Sequence, residues 1–122
     1  MQSTIKTTNY EMTPDVSAYI DEKFVTFEKY ISKDDESVKC DIEVGRTTNH
    51  HQTGDIYRVE VNLSIGKTMF RAESTSKSLH GAVDEVKDEI NKQLRRSKKK
   101  RTDLFRKGGD QIKKMLRFGR GE

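Results

Sequence analysis

The sequence predicts an α+β domain of order β-α-β-β-β-α, in which a four-stranded sheet carries two helices on one face. Three segments alternate apolar and polar residues with a period of two, which is typical of half-buried strands. Two longer segments repeat apolar residues every three or four positions, as amphipathic helices do. Because each helix has one apolar stripe and the sheet has one apolar face, both helices are expected to cover that face.

The N-terminal third predicts a strand followed by a helix. Residues 1–8 are rich in Thr, with Ile5 as the bulky aliphatic residue, and predict a weak first strand. Thr13 and Pro14 favour a helix start, because a Thr hydroxyl can cap the helix and Pro needs no N–H at its first position. An apolar stripe of four turns follows, formed by Val16, Ile20, Phe24, Phe27 and Ile31.

The middle of the chain predicts three strands. Residues 38–45 alternate between apolar and charged side chains, and a polar connection over residues 46–55 separates them from a second alternating strand at 57–65. A short hairpin at Gly66 leads into a return strand at 68–74. These strands predict an antiparallel meander with one buried face.

The last predicted element is a long helix with a basic end. It begins near Ser76, and its apolar stripe consists of Leu79, Ala82, Val83, Val86, Ile90 and Leu94. We predict a domain over residues 1–101 and a basic C-terminal tail over residues 102–122. Gly108 and Gly109 interrupt that tail, and its expected state is flexible.

Charge is divided unevenly along the chain. Residues 1–91 hold 11 Lys and Arg against 17 Asp and Glu, whereas residues 92–122 hold 13 against 3. So much positive charge on a short segment favours a polyanionic partner, most commonly nucleic acid. The alternative is a solvated helix face whose cations complement the helix dipole. The Lys98–Arg101 run extends past the last apolar position, so packing does not explain it.

Several other functional classes have no support in the sequence. No run of about 18 apolar residues is present, the N-terminus has no apolar signal core, and the single Cys40 suits a reducing compartment, so we expect a cytoplasmic protein without a membrane partner. Adjacent His50 and His51 in a polar loop rarely chelate one ion, and Cys40 is expected in the core. With no phosphate-binding loop or nucleophile elbow either, we expect no enzyme, metal or cofactor.

Arg71 leaves two interpretations open. It lies on the non-core side of the last predicted strand, where it can pair across strands with Glu60 or Glu43, or contact an RNA phosphate. In the first helix, Lys23 and Lys29 contribute to a basic surface only if they project beside the second helix.

Three stretches in the predicted order carry a specific pattern. They are Thr13-Pro14 with residues 19–24 and 27–30, residues 57–63 with 70–73, and residues 79–96, which end in Gln-Leu-Arg-Arg. Together they resemble the first helix, the hairpin and the second helix of the ribosome hibernation-promoting factors. This family is also called ribosome-associated inhibitor or sigma-54 modulation proteins, and the match covers about residues 1–101.

The resemblance implies a domain that binds the small (30S) ribosomal subunit between head and body. There it would compete with messenger RNA and with the A- and P-site transfer RNAs, inhibiting translation by occupancy during stress and stationary phase. The implied partners are 16S ribosomal RNA and neighbouring ribosomal proteins. The implied ribosomal RNA contacts are Lys23, Lys29, Arg71, Lys87, Lys92, Arg95, Arg96, Lys98, Lys99, Lys100 and Arg101.

The chain departs from the family pattern at two points. His80 and Gly81 stand where the family usually has an aromatic residue and Ala, and Gly81 should cost about 1 kcal/mol of helix stability relative to Ala. Ending at residue 122, the sequence resembles the short form, which lacks a separate dimerisation domain, so a monomer is expected.

Two alternative functions remain open. A general double-stranded-RNA-binding protein also places two helices on one face of a sheet, although the extra first strand and the resemblance argue against it. From another class, the tail could form an interfacial membrane or partner-binding helix with Ile112, Met115, Leu116 and Phe118 as its apolar side.

Overall fold

The computed structural model describes residues 1–32, 35–48 and 54–119, with the backbone alone for residue 48 and for residues 101–119. The predicted order β-α-β-β-β-α is confirmed. The elements are β1 (Gln2–Thr8), α1 (Pro14–Phe24) with a 3-10 helix (Val25–Tyr30) after it, β2 (Lys39–Thr48), β3 (Asp55–Ile65), β4 (Thr68–Ser76) and α2 (Leu79–Gly119).

The four strands form one mixed sheet in the order β1-β2-β3-β4. β2, β3 and β4 pair antiparallel as the predicted meander, with Val61 opposite both Ile42 and Ala72. β1 instead runs parallel to β2, because α1 carries the chain from one end of the sheet back to the other. Ile5 lies opposite Ile42, so both side chains are on the same face.

The first helix is shorter than its apolar stripe predicts. Thr13 caps α1 by accepting a hydrogen bond from the Val16 amide at 3.3 Å, but the α-helix ends at Phe24 and a 3-10 helix follows. β-branched residues such as Val25 and Thr26 weaken an α-helix, and the Thr26 hydroxyl donates to the Lys23 carbonyl at 2.7 Å. The tighter turns still bury the ring of Phe27, stacked on Phe24 with centroids 5.0 Å apart.

One core fills the space between the sheet and the helices, and the expectation that both helices cover the same sheet face is confirmed. The sheet contributes Cys40, Ile42, Val44, Val59, Val61, Leu63, Phe70 and Ala72, and the helices contribute Val16, Ile20, Phe24, Phe27, Leu79, Ala82, Val83, Val86, Ile90 and Leu94. Cys40 is a core residue as predicted, and burial raises the pKa of its thiol to about 12. A thiol so buried and so weakly acidic is not a nucleophile.

The second helix begins slightly later than the predicted start near Ser76 and extends well beyond its apolar stripe. Ser78 caps it by accepting a hydrogen bond from the Gly81 amide at 3.1 Å, while Ser76 accepts one from the Ser78 amide. The backbone then stays helical to Gly119, past the domain boundary predicted at residue 101, and that boundary stays a prediction. The intervening Lys, Arg, Gln and Leu residues are good helix formers, and two glycines at about 1 kcal/mol each do not end the helix. A flexible tail over residues 102–122 stays a prediction.

Candidate nucleic-acid interface

A groove runs between the 3-10 helix and α2, on the side of the helices away from the sheet. We call it the helix groove; its volume is about 490 Å³. It is lined by Thr26, Lys29, Tyr30, Lys87, Asp88, Asn91 and Arg95. Phe27 and Ile90 are fully buried and anchor the two elements in one core, which brings cations from distant parts of the sequence together.

A chain of hydrogen bonds holds the two walls of the helix groove in register. The Asn91 amide donates to the Thr26 hydroxyl at 3.0 Å, and that hydroxyl donates to the Lys23 carbonyl at 2.7 Å. The buried Oδ1 of Asn91 accepts no hydrogen bond from the described residues. The groove is therefore fixed by specific polar contacts as well as by the core beneath it.

The cations of the helix groove differ in how far they are neutralised. Lys87 forms an ion pair with Asp88, with Nζ and Oδ1 3.1 Å apart, and its side chain is only 24% exposed. Lys29 and Arg95 are exposed and form no ion pair with any described side chain, although the Lys29 ammonium lies 5.6 Å from the centre of the Tyr30 ring. Their charges remain available to an external anion.

The exposed side of α2 continues this positive surface beyond the helix groove. Four cations at helical spacing form what we call the basic ridge: Lys92, Arg95, Arg96 and Lys99. Lys98 and Lys100 are exposed on the same helix, and Arg101 follows them on its backbone. The predicted cations from Lys92 to Lys100 therefore share the exposed side of α2 near its middle, and Lys29 lies across the helix groove from Arg95.

Lys23 belongs to a separate cluster at the N-terminal end of α2. Its ammonium lies 5.2 Å from the centre of the Tyr19 ring, and the imidazole of His80 packs edge-on against that ring with centroids 4.4 Å apart. The Tyr19 hydroxyl donates to Asp84 at 2.6 Å, and this bond to a carboxylate is the main reason why the pKa of Tyr19 rises to about 12. The contact between Tyr19 and Asp84 was not predicted from the sequence, although both residues lie in the stretches that resemble the family.

Arg71 lies on the opposite side of the molecule from the helix groove. It is on the open face of the sheet, the face away from the helices, where Nη2 is 3.1 Å from Oε1 of Glu60. Glu60 also pairs with Arg58, which binds Glu73 at 2.8 Å. Pairing of Arg71 with Glu60 is thus confirmed, and its predicted contact with RNA stays a prediction.

Other functional classes find no new support among the described residues. No group of three His, Cys, Asp or Glu side chains there could hold a metal ion, and none of the helices there is long and apolar enough to cross a membrane. His50 and His51 lie outside the described residues.

Fold and surface together define a class: an α+β domain with two helices on one sheet face and an exposed basic surface along the longer helix. The chain belongs to the family described as sigma 54 modulation protein / S30EA ribosomal protein, whose sequence profile matches residues 3–102. This confirms the resemblance drawn from the three stretches of sequence.

Characterised relatives are similar in sequence over most of the chain. It is 28% identical over 94 residues to the ribosome hibernation promotion factor of Lactococcus lactis subsp. cremoris, covering 77% of this chain and 48% of that protein. It is 26% identical over 109 residues to the ribosome hibernation promotion factor of Bacillus subtilis, covering 89% and 54%. The chain thus spans about half the length of the curated relatives it matches.

Two solved structures share the fold. The N-terminal domain of Thermus thermophilus Protein Y aligns with a TM-score of 0.59 at 18% identity, covering 79% of this chain and 98% of that one. A ribosomal subunit interface protein from Coxiella burnetii aligns with a TM-score of 0.60 at 15% identity, covering 80% and 98%.

Proposed function

We propose that this chain is a ribosome hibernation factor that acts in the cytoplasm. It binds the small (30S) subunit as a monomer, occupies the channel for messenger RNA and for the A- and P-site transfer RNAs, and so inhibits translation. Family membership and the names of its relatives support this proposal. The observation that carries the RNA contact is the helix groove, where exposed Lys29 and Arg95 face outward without acidic partners among the described residues.

The proposed binding works through phosphates rather than through base sequence. Lys and Arg side chains on a convex helix face reach the RNA backbone, where they position the protein without reading bases. The helix groove would hold one stretch of backbone between Lys29 and Arg95, and the basic ridge would follow the next phosphates along α2. Inhibition then needs no chemistry, because the bound domain fills space that transfer RNA and messenger RNA require.

Lys23 and Arg71 have a smaller part in this proposal than the cations of the helix groove. Lys23 lies one turn before Thr26, beside Tyr19, and would contact RNA next to the helix groove rather than within it. Arg71 would meet RNA only if the subunit also encloses the open face of the sheet, where Glu60 already neutralises part of its charge.

Co-sedimentation with purified 30S, 50S and 70S particles across a salt series tests the proposal, with free duplex RNA alongside. We expect saturable binding to 30S and 70S near one copy per particle, weakened by salt and displaced by transfer RNA and messenger RNA. Equal binding to 50S particles and to bare duplex would contradict it and favour a general double-stranded-RNA-binding protein.

A further inference from the structure

The two edges of the sheet differ in how they are covered. At β4 the Gln93 side chain donates to the Arg71 carbonyl at 2.9 Å, and Glu85 accepts a hydrogen bond from Ser74, so α2 protects that edge. At the other edge, every residue of β1 is exposed, and among the described elements the strand packs against β2 alone. β1 is the unprotected edge of this sheet.

The backbone of β1 is suited to pair with another strand. The Gln2 amide donates to the Val38 carbonyl at 3.1 Å and therefore points into the sheet. Amides alternate in direction along a strand, so those of Ser3, Ile5 and Thr7 point outward. The pairing with β2 runs without a bulge from Gln2 to Thr8, and the strand contains no Pro. Bulges and Pro often protect an open edge from pairing, and β1 has neither; its one charged residue, Lys6, lies on the open face of the sheet, opposite to that of Ile5.

An apolar groove lies between β1 and α1, beside this open backbone. We call it the edge groove; its volume is about 200 Å³, and Ile20, Phe24 and Ile42 contribute to its lining. Three large apolar side chains near it are exposed, namely Met1 at 37%, Ile5 at 37% and Val25 at 52%. Among the described residues, four large apolar side chains are exposed, so three of the four are gathered on this side of the sheet.

The charged side chains that line the edge groove are acidic. Asp21 and Glu28 line it, and no Lys or Arg does so among the described residues. The sign is thus opposite to that of the helix groove, which α1 separates from this side. A partner that complements the edge groove carries positive charge together with apolar side chains.

We propose that the β1 edge binds an extended cationic peptide segment, which adds to the sheet as a fifth strand. Its backbone pairs with the outward groups of Ser3, Ile5 and Thr7, its alternate apolar side chains enter the edge groove, and its cations lie near Asp21 and Glu28. This protein-binding surface is distinct from the helix groove and does not depend on the function proposed for that groove.

A synthetic probe tests the proposal on the full chain. The probe is a nine-residue peptide with blocked ends, Lys-Thr-Val-Thr-Val-Thr-Val-Thr-Lys, in which Lys and Val fall on the same face of the strand, and its counterpart has Glu in place of both Lys. We expect the Lys peptide to bind saturably in fluorescence anisotropy and to shift the NMR amide signals of Ser3, Ile5 and Thr7. The Glu peptide should bind at least about tenfold more weakly, because it meets like charge.

Matched variants separate strand addition from general charge attraction. Thr7→Pro removes an outward N–H without removing a bond to β2, whereas Thr7→Val keeps that N–H. We expect Thr7→Pro to weaken binding of the Lys peptide at least about tenfold, and Thr7→Val to leave its affinity within about twofold of the unsubstituted chain. If Thr7→Pro disturbs folding, the double variant Asp21→Asn with Glu28→Gln tests the proposal instead. This double variant should weaken binding of the Lys peptide, whereas Glu22→Gln, which lies outside the edge groove, is its control.

Three results would overturn the proposal. The first is no saturable binding of the Lys peptide. The second is binding that neither Thr7→Pro nor the double variant at Asp21 and Glu28 weakens. The third is concentration-dependent dimerisation of the chain that Thr7→Pro abolishes, since the edge would then belong to a second copy.

Discussion

Glu60 illustrates how a single carboxylate organises a surface. Its side chain is only 11% exposed; it accepts hydrogen bonds from Arg58 and from the Asn62 side-chain amide, the latter at 3.1 Å, and it forms an ion pair with Arg71. A carboxylate with so little access to water needs such partners, because burying its charge without them is costly. Glu60 therefore joins the cations of two neighbouring strands on the open face of the sheet.

We expect Glu60→Gln to destabilise the domain by about 1–3 kcal/mol, because two guanidinium groups lose a shared charged acceptor. Urea unfolding followed by circular dichroism measures this loss. Glu36→Gln, at an exposed turn position, is the matched control and should leave the unfolding midpoint unchanged. Equal midpoints for the two variants would show that the network around Glu60 contributes nothing to stability.

The Tyr19 hydroxyl adds a pH dependence to stability. Its hydrogen bond to Asp84 raises its pKa from 10.0 to about 12, so the folded state favours the neutral phenol. This contribution is complete below pH 10 and is lost as the pH rises through the folded pKa of about 12. Tyr19→Phe should remove that alkaline loss. Urea midpoints of both proteins across this range test it; parallel decline in the two would contradict the assignment.

At the scale of elements, the order of helices and strands could be predicted from apolar periodicity, but their exact character could not. The stripe from Val16 to Phe27 is the same for an α-helix and for an α-helix that tightens into 3-10 turns. The hydrogen bond that Asn91 on α2 donates to Thr26 holds these tighter turns against the second helix. Such contacts join residues far apart in sequence, and periodicity carries no information about them.

The candidate site could likewise be predicted only in part from the sequence. Helical spacing placed Lys92, Arg95 and Lys99 on the exposed side of α2, because burial of the opposite stripe leaves no other direction. Spacing could not show that Lys29 lies across a groove from Arg95, since that depends on how two helices pack. Nor could it choose among the partners of Arg71, because strand register decides that Glu60 is within reach.

The start of α2 offers a test of local helix propensity. Gly81 lies in the first turn, and an added Cβ would lie 3.3 Å from the Ser76 hydroxyl oxygen and 3.4 Å from the Ser78 Cβ. We expect Gly81→Ala to stabilise the domain by up to about 1 kcal/mol, with this close contact reducing the gain. Thermal unfolding measures the change. A lower melting temperature would mean that crowding against the cap outweighs the helix propensity of Ala.

At the scale of the whole molecule, charge is separated in space as well as along the chain. The helix groove and the basic ridge form a positive surface, whereas the edge groove on the other side of α1 is acidic. Such a molecule presents different chemistry to partners on different sides. The proposed RNA contact and the proposed peptide contact therefore do not compete for the same residues.

The groove cations should matter more for ribosome binding than equally exposed cations elsewhere. We expect Lys29→Gln with Arg95→Gln to weaken binding to 30S particles at least about tenfold and to lower the salt slope by about 2, one for each lost phosphate contact. Lys67→Gln, on the hairpin between β3 and β4, is the control. Co-sedimentation across a salt series measures both quantities, and equal effects of the two substitutions would remove the helix groove from the interface.

The parallel pairing of β1 with β2 also has a consequence for folding kinetics. The hairpins of the meander close short loops, whereas β1 meets a partner 37 residues away, as in the contact of Thr4 with Asp41, and only after α1 is in place. We therefore expect formation of β1 to be the slowest step in assembling the sheet and its loss to be the easiest local opening. In hydrogen exchange, the inward amides of Thr4 and Lys6 should exchange faster than those of β3. A partner that pairs with β1 would then slow that exchange, because it would stabilise the last strand to fold against local opening.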